Sequence, residues 1–332
     1  MESEILNLEE PTRLELLVKW ASSTLKVSSY NVSKLAGDAS FRKYYLFNDL
    51  VIVDSPPDSQ KNLEFLTINK LLAQVGIKVP EIINYDLKQG FFILENLGKT
   101  HFADVAIGKD QESFYIKAVN LLPLIAKIDV SKLEVFDESF ITRELHICTE
   151  WLFEKFLHLS FTPDECSLIS NTFSILTSYC DNISKIAMHR DFHCRNIMLS
   201  HDKLALIDYQ DMVKGPFCYD LASLIFDCYV TLDGNLVNKL LHLSYNLYKD
   251  NRVISCDFNE FEKMTRLCAM QRHIKVLGLF IRLALRDKKE GYLKDLPRVL
   301  NYVLHTCSLY EELNEFGEFL EKHCLEEFNK WK

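Results

Sequence analysis

The 332-residue sequence predicts an α+β protein of two lobes, a small antiparallel sheet with one packed helix followed by a larger, mainly helical part. Three observations predict it. Five short runs rich in β-branched and aromatic residues fall between residues 30 and 95, helical spacing dominates from Asn96 onward, and one apolar hairpin interrupts the helical half between residues 197 and 207. Apolar residues make up 48% of the chain, ample for a large buried core.

Taken in order, Pro11 followed by Leu14, Leu17, Trp20 and Ala21 at helical spacing predicts an N-terminal helix capped near Glu10. Tyr30 to Leu35, Phe41 to Phe47 and Leu50 to Val53 predict a meander, with turns at 36–39 and at Asn48-Asp49. Asn62 to Val75 reads as a helix closing near Gly76, and Glu81 to Tyr85 and Gly90 to Glu95 as two further strands. The chain thus divides into a first lobe over 1–95, a hinge over 96–98 and a second lobe over 99–332. It shows no internal repeat and no low-complexity segment.

The segment HRDFHCRNIMLSHDKLALIDYQD, His189 to Asp211, carries the chemistry. Ile197 to Leu199 and Leu204 to Ile207 read as apolar strands around a polar turn, a hairpin that brings Asn196 and Asp208 to one edge. Phosphoryl transfer needs a carboxylate beside the acceptor hydroxyl and hard oxygen ligands that hold Mg²⁺ against nucleotide phosphates. Asp191 suits the first role, and Asn196 and Asp208 suit the second. His189 reads as a brace of this loop, and His193 as a residue facing the acceptor. Zinc binding by His189, His193, Cys194 and His201 lacks the paired ligand spacing of a closed site. Asp211 is a second metal ligand or a hydrogen-bond partner of the loop. Gly215-Pro216 reads as a chain break, and Asp220 as a helix cap or a partner of the His-Arg-Asp loop.

The phosphate-facing elements are less complete. The turn between the first two strands offers Gly37 and Ser40 but lacks the three glycines of a Gly-rich loop, and the third strand, Val51 to Asp54, lacks a lysine for the α- and β-phosphates. Arg42 or Lys43 would supply that cation. Neighbouring strand residues face opposite ways, so one of them lines the cleft, and Arg42 is favoured because Lys43 shares its face with Phe41. At the hinge, backbone groups around Glu95 and Leu97 could hydrogen-bond an adenine edge.

Composition excludes other classes. A net charge of −9 without a Lys/Arg cluster argues against nucleic acid, and the longest apolar run, near Val276 to Leu285, is broken by Arg282 and too short to span a bilayer. The acidic N-terminus has no cationic start followed by an apolar stretch, so no signal peptide is expected. Ten cysteines scattered through apolar runs read as reduced core residues, which fits a cytoplasmic protein. The expected ligand is a small molecule, with no obligate protein partner evident.

Together, HRDFHCRN and IDYQD resemble the aminoglycoside phosphotransferase superfamily, whose members have protein-kinase-like lobes and phosphorylate small-molecule hydroxyls. GDASFRKYY at 37–45, VIVDSPP at 51–57, QGFFILENLG at 89–98, IDYQDMVKGPFCYDLASLIFDCYV at 207–230 and MQRHIKVLGLFIRLALRDKKEGYLKDLPRVL at 270–300 resemble more closely its anomeric cell-wall sugar kinases. The resemblance implies ATP and Mg²⁺ as cofactors and N-acetylmuramate or N-acetylglucosamine as the acceptor, phosphorylated at C1. It implies Asp191 as base and Asn196 and Asp208 as metal ligands, and it makes the missing lysine a family trait.

For the sugar, Glu144, Trp151, His193 and Asp227 are candidate contacts by type, and Arg143, Arg195 or Arg272 could meet a lactyl carboxylate. Arg195 is attractive by adjacency to Asn196 and could equally brace the loop. Two other readings stay open: a phosphotransferase of antibiotics or other small alcohols, and a non-catalytic nucleotide-binding module.

Overall fold

The computed structural model describes residues 12–35 and 42–331. Its first lobe opens with helix α1, Arg13–Leu25, which starts later than the sequence suggested. The cap is Thr12 rather than Glu10: the Thr12 hydroxyl accepts the Glu15 N–H while the Glu15 carboxylate accepts the Thr12 N–H, closing a capping box.

Strands β1 (Val32–Lys34), β2 (Lys43–Phe47), β3 (Leu50–Asp54), β4 (Ile82–Asp86) and β5 (Phe91–Glu95) form one antiparallel sheet in the order β1-β2-β3-β5-β4. All five predicted strands are present. The two-residue period sorts their side chains. Ile52, Phe91 and Ile93 pack outward with Tyr45 and Phe47 against Leu17 and Ala21 of α1, whereas Val51, Val53, Phe92 and Leu94 face inward. Arg13 fastens α1 to the sheet, donating to Asp54 at 2.8 and 2.5 Å. Helix α2, Asn62–Gln74, packs Phe65, Leu66, Ile68 and Leu72 against the inward face.

Beyond β5 the chain is mainly helical: α3 (Phe102–Val105), α4 (Gln111–Val119), α5 (Leu122–Ile125), α6 (Glu138–Ile147) and α7 (Pro163–Asn182). A π-helical segment, Cys148–Phe156, continues α6. After α7 come β6 (Lys185–Met188), the predicted hairpin as β7 (Ile197–Ser200) and β8 (Lys203–Leu206), and then β9 (Val213–Pro216). Gly215 and Pro216 do not break the chain as expected. They belong to β9, which pairs antiparallel with β6.

Helices α8 (Tyr219–Ile225), α9 (Gly234–Asp250), α10 (Phe258–Leu285), α11 (Leu296–Leu309) and α12 (Asn314–Asn329) complete the lobe. The central helix is α10, 28 residues long and packed on several neighbours, which is why its apolar residues are not confined to one stripe. One apolar cluster runs from the inward face of the sheet through the whole second lobe. Tyr209 bridges the lobes, stacking on Phe65 at 5.1 Å and accepting a hydrogen bond from Asn69 at 2.6 Å.

Candidate active site

The loop between β6 and β7 is held from below by buried carboxylates. Asp220 accepts the N–H groups of His189 at 2.7 Å and Arg190 at 3.0 Å, and Asp227 accepts those of Cys194 at 2.9 Å and Tyr229 at 2.8 Å. Asp220 therefore holds the loop and caps no helix, since it lies within the first turn of α8. Burial lifts its carboxyl to about 6 against the pull of His189 and the two N–H donors. Asp227 is fully buried with both oxygens occupied by main-chain donors, so its expected place at a sugar is corrected to that of a loop support.

Asp191 sits at the crest of this loop with its carboxylate two-fifths exposed, and Nη2 of the buried Arg272 lies 3.6 Å from Oδ1. The surrounding protein works to raise its pKa, but Lys275 and Arg272, followed by His193 and Arg190, outweigh that and hold the carboxyl well below the usual range. It stays anionic. Asn196 donates through Nδ2 to the Asp191 carbonyl at 3.0 Å, which leaves its Oδ1 available as a ligand. His189 contacts the Ile207 carbonyl through Nε2 at 3.1 Å, tying the loop to the strand that delivers Asp208.

Asp208 follows β8 in the left-handed region at φ 60°, and Arg190 has φ 72°. Such non-glycine backbone is uncommon and concentrates at functional sites. Asp208 is exposed to solvent. Its pKa is raised, first by surrounding protein and then by Asp191 and Asp211, although Gln210 donates to Oδ1 at 2.7 Å. A cation would relieve that crowding. Among the described residues no cluster of three or more His, Cys, Asp or Glu could hold a metal unaided. Two protein oxygens suit Mg²⁺, which takes phosphate oxygens and waters for the rest of its octahedron. Asp211 pairs instead with Lys61 at 2.9 Å across the lobes.

Of the two phosphate cations considered, Arg42 lies on the inward face with Tyr44, its Nε donating to the Ser55 hydroxyl at 2.8 Å and its guanidinium 4.7 Å from the Phe65 ring. Lys43 is exposed and pairs in register with Asp54, whose side chain meets α1 on the outer face, so it is corrected to a surface residue. Gly37 and Ser40 lie outside the described residues. At the end of β5, the Glu95 side chain is engaged by Lys78 and by the Glu81 N–H, and its own N–H donates to the Glu81 carbonyl at 2.8 Å. These groups are closed to a base. Leu97 forms an apolar patch with Met198, Ala205 and Ile207.

The acceptor side differs from expectation. Glu144 is buried beneath the loop, 2.8 Å from both Arg190 and Lys275, with Gln271 donating at 3.3 Å. It anchors two cations rather than presenting a free carboxylate. Trp151 lies in the π-helical segment with the Lys155 ammonium 3.7 Å over its ring. Arg143 is exposed over Phe140. His193 is buried with its ring 5.2 Å from Tyr229, and burial lowers its pKa to about 4, so it is neutral near pH 7. The Arg195 guanidinium lies over the Tyr229 ring, 3.6 Å from its centre. Gln271 and Lys275 were missed by sequence reasoning, although polar residues inside the apolar α10 signal buried partners.

A family model described as "Phosphotransferase enzyme family" matches residues 31–248. The chain belongs to the phosphotransferase enzyme family. This phosphotransferase is 30% identical over 295 residues to the N-acetylmuramate/N-acetylglucosamine kinase of Pseudomonas aeruginosa, covering 86% of each chain. It is 30% identical over 312 residues to the protein of that name from Neisseria meningitidis, covering 90% of this chain and 92% of the relative. Its fold is shared with a Plasmodium vivax ethanolamine kinase, with TM-score 0.63, 14% identity and 91% and 92% of the two chains covered. An ADP-bound aminoglycoside phosphotransferase aligns with TM-score 0.61 at 14% identity, over 86% and 97%. The bilobal, kinase-like fold expected from the sequence is thus the one adopted.

Proposed function

We propose that this phosphotransferase transfers the γ-phosphoryl group of ATP to the anomeric C1 hydroxyl of N-acetylglucosamine, N-acetylmuramate or both, with Mg²⁺ as cofactor. The observation that carries the reading is Asp191 held anionic at an open crest by Arg272 and Lys275, beside Asn196 and Asp208, in a chain whose relatives bear that kinase name.

A hemiacetal hydroxyl is more acidic than an ordinary alcohol. Asp191 accepts its hydrogen bond, orients the oxygen and takes the proton late, as a loose phosphoryl-transfer transition state requires. Asn196 Oδ1 and the Asp208 carboxylate would hold Mg²⁺, which when bound neutralises charge on the β- and γ-phosphates. Arg42 supplies the phosphate cation from the inward face of the sheet, with Gly37 and Ser40 as further phosphate contacts. The adenine lies on the Leu97, Met198, Ala205 and Ile207 patch. The cations around Asp191 favour a neutral or acidic sugar over a polycationic antibiotic. Ten free cysteines fit the reducing cytoplasm, where ATP is abundant.

The test is ³¹P NMR of the protein incubated with ATP, Mg²⁺ and, separately, each amino sugar and an aminoglycoside. A sugar 1-phosphate is expected. A 6-phosphate would overturn the anomeric assignment, and a phosphorylated antibiotic alone would overturn the sugar.

A further inference from the structure

A cavity of about 670 Å³ lies beside the catalytic loop, walled by Tyr229, Thr231, Asp295, Arg298, Asn301 and Tyr302 among others. None of these residues has a part in the phosphoryl-transfer reading above. The cavity adjoins the loop directly, because the Tyr229 ring meets His193 at 5.2 Å on one side and Arg195 at 3.6 Å on the other. A second chain of contacts leads to the same wall. Arg272, 3.6 Å from Asp191, donates to the Cys228 sulfur at 3.0 Å, and Arg298 donates to the Cys228 carbonyl at 2.8 Å and to Asp295 Oδ1 at 2.7 Å.

Asp295 is the unusual member. Its side chain is 6% exposed, yet Oδ2 makes no hydrogen bond. The Arg195 guanidinium is 4.0 Å from that oxygen, an ion-pair separation too long for a hydrogen bond. Nor does Asp295 cap α11, at whose N-terminus it stands. A buried carboxylate oxygen without a donor is costly, and a donor brought by a ligand removes the cost.

The surroundings define that ligand. Among the described residues that line it, Arg298 and Lys294 stand against Asp295, so a cationic group is disfavoured. Aromatic walls suit the apolar face of a ring, and Thr231 and Asn301 offer neutral hydrogen bonds. This is the chemistry of a saccharide ring.

We infer that this cavity, with Asp295 Oδ2 as its hydrogen-bond acceptor, receives the part of the amino sugar remote from the reacting hydroxyl and sets acceptor specificity. The inference rests on the sugar-kinase reading. Asp295 receives a ring hydroxyl or the acetamido N–H. A site built to bond such a group rejects an acceptor that lacks it.

The experiment measures steady-state kinetics of Asp295→Asn with N-acetylglucosamine and its 3-, 4- and 6-deoxy analogues and with glucose, which lacks the acetamido group, beside the wild type. The variant is expected to raise the sugar KM roughly 10- to 100-fold while the ATP KM stays within about twofold. The wild type should discriminate sharply against one of these analogues, and the variant should not. Because Asp295 also holds Arg298, Asn301→Ala, an exposed position on the same wall, serves as a second variant and should raise the sugar KM several-fold without moving the melting temperature. Unchanged sugar KM in both variants, or sugar and ATP KM rising together, overturns the inference. If the wild type phosphorylates no amino sugar, the sugar-kinase reading fails first, an outcome recognisable because no variant is needed to see it.

Discussion

Asp191 is open at the crest of its loop and pressed into its charged form by cations on α10. Its replacement by Asn keeps the shape and removes the proposed base, so kcat is expected to fall by on the order of 10²–10⁴ with little change in nucleotide affinity. Near-normal turnover in that variant would sink the assignment. Asp220 supports the same loop and makes a pH prediction. Its carboxyl stands at about 6 when folded, against about 3.9 in an unfolded chain. The folded state therefore holds this proton more tightly, and the stability linked to it is full below about pH 4 and lost as pH rises to about 6, by roughly 3 kcal/mol. The stability of the wild type relative to Asp220→Asn should fall through that window and level off above it, as read from urea unfolding at pH 4.5, 5.5 and 7. A difference independent of pH would refute it. The grouping of Asp191, Asn196 and Asp208 was legible in the sequence because it is set by a short loop and one hairpin. Arg42 was favoured over Lys43 because a strand has a period of two. The role of Glu144 was not legible, since Arg190 lies 46 residues away and Lys275 joins it only when α10 crosses α6.

Among the elements, α10 matters most to the site because it delivers Gln271, Arg272 and Lys275 from a single buried stretch. Its approach to the α6 side depends on Gly278, where a Cβ would overlap the Ile147 carbonyl and the start of the π-helical segment. Gly278→Ala improves helix propensity by about 1 kcal/mol yet is expected to lose roughly 1–3 kcal/mol overall, because backbone on both sides must yield. Equilibrium denaturation should show a lower midpoint, with the loss in kcat exceeding the loss in nucleotide affinity. Greater stability in the variant would show that the two elements can separate. The sequence displayed the strands of the first lobe but not the β6–β9 pairing. Those two runs are four residues each, they lie far apart along the chain, and one ends in Gly-Pro.

At the scale of the molecule, the lobes are joined by a buried and an exposed contact of unequal weight. Tyr209 is fully buried against Phe65 and Asn69, whereas Lys61 and Asp211 are about half and two-fifths exposed. Lys61→Met should change stability by less than about 1 kcal/mol, and Tyr209→Ala should lower it by roughly 3–5 kcal/mol. Thermal unfolding followed separately by lobe-specific probes checks this, and the first lobe should melt early only in the Tyr209 variant. Equal effects would contradict the picture of a core shared by both lobes. The Arg190, Lys275, Gln271 and Glu144 cluster has a further consequence for how such a chain can diverge. Glu144 neutralises two buried cations at once, so its loss as a first step strands both, while loss of Lys275 first leaves one satisfied pair behind. The order of substitutions is therefore constrained beneath the loop: loss of the glutamate first strands two cations, whereas loss of the lysine first strands none and weakens only the hold on Asp191.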